Sequence, residues 1–80
     1  MSTDADSPSA EYVVVGPASF GTAILEFRTR MGLTQQELAE RADIHRSYLS
    51  TLERGKSTEA MRQIFDALRT LGLEVVIRPR

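Results

Sequence analysis

Cysteine is absent from these 80 residues, and histidine occurs once. Without cysteine there is no disulfide framework and no thiolate metal site. His45 has no second histidine, cysteine or acid at ligand spacing, so a metal role lacks its ligand set, and no motif in the chain supports catalysis. Gly55-Lys56-Ser57 echoes the end of a phosphate-binding loop, but the upstream glycine and the preceding strand are missing. No apolar run is long enough to span a bilayer, and the N-terminus lacks the cationic start and apolar core of a secretory signal. The expectation is a cytoplasmic protein that is not an enzyme, with no cofactor, no metal, no small-molecule ligand and no membrane contact.

Strong net charge is lacking too. The total is −1, but it divides unevenly. Residues 1–15 hold Asp4, Asp6 and Glu11 with no Lys or Arg, so they carry −3 and the rest of the chain carries +2. A weakly positive domain still binds a polyanion when its cations share one face, because binding follows local phosphate contacts. Eighty residues also make a small domain, short of core, of the kind that gains burial by oligomerising.

What is present centres on Leu33 to Lys56, LTQQELAERADIHRSYLSTLERGK. Thr34 and Glu37 have the spacing of a capping box, and Leu33 with Leu38 that of a hydrophobic staple. Leu38, Ala42, Ile44, Leu49 and Leu52 are the apolar positions, and Ala39 is small enough to let a second helix approach. Gly55 suits the position just past a helix end, with Lys56 following where a cation is favoured. The pattern predicts two short helices joined by a tight turn. Between Ile44 and Leu49 lie His45, Arg46, Ser47 and Tyr48; Ser50, Thr51 and Arg54 follow on the outside. A merely solvated face usually mixes Glu and Lys. This one is built of hydrogen-bonding groups suited to the base edges and phosphates of a duplex.

Along the chain, residues 1–10 are small, polar and acidic and read as a disordered leader. Residues 11–80 read as a single domain. A β-branched strand over 11–15 closes at Gly16-Pro17. A first helix over about 19–31, with Ser19 as its cap, places Phe20, Ala23, Ile24, Phe27 and Met31 on one face. The two central helices span about 34–42 and 45–54. A fourth, over about 58–71, carries Met61, Ile64, Phe65, Leu68 and Leu71 inward. A last strand over 73–78 stops at Pro79. The fold class is mainly α, four to five helices with short terminal strands. Lone strands leave unpaired backbone groups. A sheet shared between two protomers, built on Leu73, Val75, Val76 and Ile77 of the C-terminal strand, is preferred over an intrachain ribbon, which is marginal alone.

The segment Q-x-E-L-A-x-R-A, an apolar residue after the turn, and R-S-x-L-S-x-L-E-R-G-K resembles the helix-turn-helix of phage-repressor-like (Xre/Cro) regulators. Phe20-Gly21, Ile24, Arg28 and Gly32-Leu33-Thr34 extend the resemblance upstream, so that it covers about Phe20 to Leu73. Two positions depart from the pattern, which usually has Gly where Asp43 stands and Ser or Thr where His45 stands. The resemblance implies a DNA-binding regulator that works as a homodimer on a palindromic duplex. It implies base-edge positions for Arg46, Ser47 and Thr51, flanked by Tyr48 and Ser50. Arg46 is the leading base reader, with a phosphate contact as its alternative. Thr34, Gln35, Arg54 and Lys56 are the phosphate candidates. Arg28 and Glu53 match a partly buried structural ion pair of similar repressors.

The C-terminal run I-F-D-A-L-R-x-L-G-L-E-V-V-I-R, taken with the helix-turn-helix, resembles HipB-like antitoxins. This implies a small dimer that represses its own operon and neutralises a HipA-type kinase toxin. The alternatives are a stand-alone regulator without a toxin, and a protein-interaction module that no longer binds DNA.

Overall fold

A computed structural model describes residues 11–80; the acidic leader expected over residues 1–10 lies outside them. In chain order the elements are β1 (Tyr12–Val14), α1 (Pro17–Arg30), α2 (Gln35–Ala42), α3 (Arg46–Glu53), α4 (Glu59–Thr70) and β2 (Val75–Ile77).

The first helix starts earlier than its apolar spacing predicts. Pro17 occupies the first helical position, where its fixed φ suits the helix and its missing N–H costs nothing. Ser19 therefore lies inside the helix and reaches back, its Oγ accepting the N–H groups of Val15 (2.9 Å) and Gly16 (3.3 Å). At α4 the cap is Thr58, whose Oγ1 accepts from the Met61 N–H at 3.2 Å.

The terminal strands pair with each other, antiparallel and within the chain: Tyr12 opposite Ile77, Val13 opposite Val76, Val14 opposite Val75. The intrachain ribbon, the less favoured arrangement beside a sheet shared between two protomers, is thus the pairing found within the chain. One edge of β2 is taken by β1, and the ribbon is not left to stand alone. Its inner face, Val14 with Tyr12, Val75 and Ile77, packs on Ala23, Phe20, Met61 and Phe65. That cover supplies the burial an isolated hairpin lacks. The Phe20 and Phe65 rings meet tilted, with centroids 6.1 Å apart.

The core is small. Val14, Ala23, Ala39, Leu49 and Phe65 are its buried apolar residues. Several positions expected to face inward do not. Ala42 and Ile44 are exposed, and so are Met31 at the end of α1 and Ile64 and Leu71 on α4. The reason is geometric: α1 packs chiefly on α3 and α3 on α2, while α4 meets only part of α1, so part of its apolar stripe has nothing to cover it.

Candidate nucleic-acid interface

The helix pair α2–α3 is held by local chemistry at each joint. Thr34 Oγ1 accepts the Glu37 N–H at 3.0 Å while Glu37 Oε1 accepts the Thr34 N–H at 2.8 Å, a reciprocal capping box. Hydrogen bonding of the carboxyl to the Thr34 backbone N–H, and after it to the Thr34 side chain, holds Glu37 below the usual carboxylate range. Asp43 closes α2 in the left-handed conformation, φ 60° and ψ 47°, and its N–H returns to the carbonyls of Ala39 and Glu40. Asp is among the few non-glycine residues that adopt this geometry readily. His45 is the N-cap of α3, with extended backbone and no side-chain cap bond. Helix α3 therefore begins at Arg46.

A backbone contact and an ion pair then fix α3 against α1. Gly21 lies so close to the end of α3 that a Cβ on it would stand 2.1 Å from the Leu52 carbonyl oxygen and 3.1 Å from that of Glu53. Gly55, at φ 83°, turns the chain out of α3 directly against Ala18. About two helical turns beyond Gly21 along α1, Arg28 donates from Nε to Glu53 Oε2 at 2.6 Å and from a terminal nitrogen to Oε1 at 3.0 Å. Its other terminal nitrogen donates to the Leu33 carbonyl at 2.8 Å. The bidentate fork thus ties α1, the loop before α2, and α3 together. Burial pushes the Glu53 carboxyl up, but hydrogen bonds from Arg28 and Gln35 and the charge of Arg28 together hold it below its ordinary range. Arg28, hydrogen-bonded to Glu53, is raised in turn.

The residues singled out from the sequence divide into two sets. Arg46, Ser47 and Tyr48 stand exposed on the first turn of α3, beside a buried Leu49 that anchors the helix. Ser50 and Thr51 are half-buried. Thr51 Oγ1 donates to the Ser47 carbonyl at 3.0 Å, and an Arg54 terminal nitrogen donates to Ser50 Oγ at 3.1 Å. The first turn of α3 holds no acid, so its N-terminal dipole and Arg46 add to one positive edge. Arg54 and Lys56 lie exposed just past its far end. Gln35, at the start of α2, turns its amide toward Glu53, donating to Oε1 at 2.9 Å.

Two features escaped sequence reasoning. The Gln35–Glu53 bond joins side chains 18 positions apart, which no local pattern registers. The Gly21–Leu52 contact did leave a trace, since a glycine inside a helical pattern costs stability and usually has a packing reason. Among the described residues, no group of three or more His, Cys, Asp or Glu side chains could hold a metal ion, and no helix is long and apolar enough to cross a membrane.

Comparison with known proteins points the same way as this geometry. A helix-turn-helix family model matches residues 24–76, most of the chain. An uncharacterized HTH-type transcriptional regulator of Methanothermobacter thermautotrophicus is 40% identical over 53 residues, covering 66% of this chain and 77% of that protein. One from Archaeoglobus fulgidus is 33% identical over 54 residues, covering 68% and 77%. Another, from Sinorhizobium fredii, is 32% identical over 56 residues, covering 70% and 73%. No solved structure matches the chain significantly.

Proposed function

This chain belongs to the Xre/Cro-like helix-turn-helix family, and we propose that it is a DNA-binding transcription regulator, not an enzyme, that represses from a palindromic operator as a homodimer. The observation that carries the reading is the outer face of α3. Arg46, Ser47 and Tyr48 project into solvent while Leu49 beside them is buried, so the polar groups are presented by a helix that cannot rotate away.

In this reading α3 enters the major groove and its first turn meets base edges. Arg46 pairs with the two acceptors of a guanine, Ser47 and Thr51 reach neighbouring edges, and Tyr48 and Ser50 flank them. The start of α2 lies on the phosphates. Gln35 Nε2 gives one hydrogen to Glu53 and keeps a second for a phosphate oxygen, beside the backbone N–H groups of the helix end. Thr34, Arg54 and Lys56 add further backbone contacts. The Arg28–Glu53 pair acts structurally, holding both helices in the spacing that lets one read bases while the other holds phosphate. Two protomers present two recognition helices about 34 Å apart, one turn of the duplex.

A finer version makes the protein a HipB-like antitoxin, acting in the cytoplasm, that controls its own operon and binds a HipA-type kinase toxin through surfaces away from α3. Its support is the C-terminal run from Ile64 to Arg78, which resembles that group. Tagging the protein in its native operon tests it. A stoichiometric kinase-like polypeptide that co-purifies supports the antitoxin. A tagged protein recovered alone, still shifting its own promoter, favours a stand-alone regulator. Failure to shift duplex DNA at low salt would leave a protein-interaction module.

A further inference from the structure

The cations of this chain fall into two groups. Arg28, Arg30, Arg62 and Arg69 each meet a carboxylate, of Glu53, Glu26, Glu59 and Asp66 respectively. Arg41 sits in the last turn of α2, where the helix dipole favours a cation. Arg46, Arg54 and Lys56 belong to the α3 edge already described. Two remain, Arg78 and Arg80, both exposed just past β2. Arg78 reaches Glu11 only at 3.9 Å, and both side chains are more than half exposed. Such a pair is worth little and leaves the guanidinium available. Arg80 has no carboxylate partner among the described residues.

Strand direction decides where these two arginines stand. β2 runs antiparallel to β1, so Val75 lies opposite Val14, just ahead of α1. The strand then follows α1 toward its end. Ile77 to Arg80 share an apolar groove of about 560 Å³ with Phe27 and Met31 of α1, Leu33 of the loop and Leu38 of α2. Arg28, Arg30, Arg78 and Arg80 line that groove, and no acid does. Leu33 directly precedes Thr34 and Gln35, the pair placed on phosphate above. A groove of that volume, if round, spans about 10 Å, close to the distance over which charges act through physiological salt. The end of β2 therefore adds positive potential beside the start of α2. Pro79 fixes its own φ and keeps Arg78 extended, so both guanidinia ride on a stiff segment that loses little freedom on binding.

We propose that Arg78 and Arg80 form a second phosphate-binding element, which holds duplex backbone adjoining the phosphates held by Thr34 and Gln35. It reads no base and lengthens the contacted backbone. This rests on the DNA-binding reading above and extends its footprint. It also accounts for how a weakly charged domain gathers phosphate contacts: the α4 cations are neutralised in pairs, and those beside α2 and α3 are left open.

Methylphosphonate scanning of the promoter duplex tests it, each substitution removing one backbone charge. Positions that weaken wild-type binding but fall silent in Arg78→Ala/Arg80→Ala should adjoin those that fall silent in Gln35→Ala. The double variant should bind promoter and scrambled duplexes alike about tenfold more weakly, with a shallower salt slope. Arg62→Ala/Arg69→Ala removes the same charge from α4, and its affinity should stay within about twofold of wild type. An unchanged scan in the Arg78→Ala/Arg80→Ala chain, with or without weaker binding, overturns the second element. Silence at positions away from the Gln35 set overturns it too, as does an equal loss in the α4 control. Failure of the DNA reading itself looks different: the wild type would bind both duplexes equally and weakly, with no position sensitive.

Discussion

Gly21 and Leu52 approach so closely that the first helix has no room for a side chain there: a Cβ on Gly21 would lie 2.1 Å from the Leu52 carbonyl oxygen. That oxygen belongs to backbone, which cannot swing aside as a side chain would. Gly21→Ala therefore pushes α1 off the end of α3. Overpacking of this kind costs about 1–3 kcal/mol, occasionally more. Chemical denaturation is expected to show a lower midpoint at unchanged slope, with DNA affinity falling alongside because α3 is displaced.

The Arg28–Glu53 pair predicts an acid limit to stability. Its side chains are only 12% and 5% exposed, so removing one partner strands the other, at about 3–5 kcal/mol. The Glu53 carboxyl is held below its ordinary range. A depressed carboxylate contributes stability in full above the unfolded value, about 4.3, and loses it as pH falls through the folded value. Thermal melts should change little with pH near neutrality and drop steeply below about pH 4. Glu53→Gln should be less stable at pH 7 and show a flatter acid limb. An acid limb identical to wild type would remove Glu53 from the account.

Asp43 is the one non-glycine residue with positive φ among the described residues. Left-handed backbone costs an L-residue roughly 1–2 kcal/mol, less for Asp, so Asp43→Gly should raise stability by up to about 1 kcal/mol. Asp43→Val should lower it. A melt of the two variants beside wild type checks the order.

Arg46 and Lys56 should separate base reading from phosphate holding. Arg46→Ala is expected to cost about 1–3 kcal/mol on the preferred operator and to relax discrimination at one base pair. Lys56→Ala should weaken all duplexes alike and reduce the salt slope by about one contact per protomer. Anisotropy titrations on single-base variants of the operator distinguish the two. An equal loss on every sequence would make Arg46 a phosphate contact.

Much of this arrangement was legible in residue order, because local rules wrote it. The Thr34–Glu37 spacing marked the capping box, Gly55 the end of the recognition helix, and the run of apolar residues at helical intervals the inner face of α1. Boundaries slipped where a second local signal competed, as at Pro17 against Ser19. Non-local outcomes were harder to read. Nothing in the order of residues told whether Tyr12–Val14 would find Val75–Ile77 in the same chain, since strand pairing depends on what covers the ribbon. The turning of Gln35 toward Glu53 likewise depends on a packing angle. Exposure of Ile64 and Leu71 was concealed because periodicity marks an apolar face without saying whether this chain or another covers it.

The central claim is that the face of α3 reads duplex DNA. The most direct measurement is the affinity of the full chain for a duplex spanning its own promoter, titrated over a range of salt concentrations, against a scrambled duplex of equal length. The account predicts tighter binding to the promoter, a linear fall of log affinity with log salt, and loss of the promoter preference in Arg46→Ala. Equal and weak binding to both duplexes, unmoved by Arg46→Ala, would contradict it.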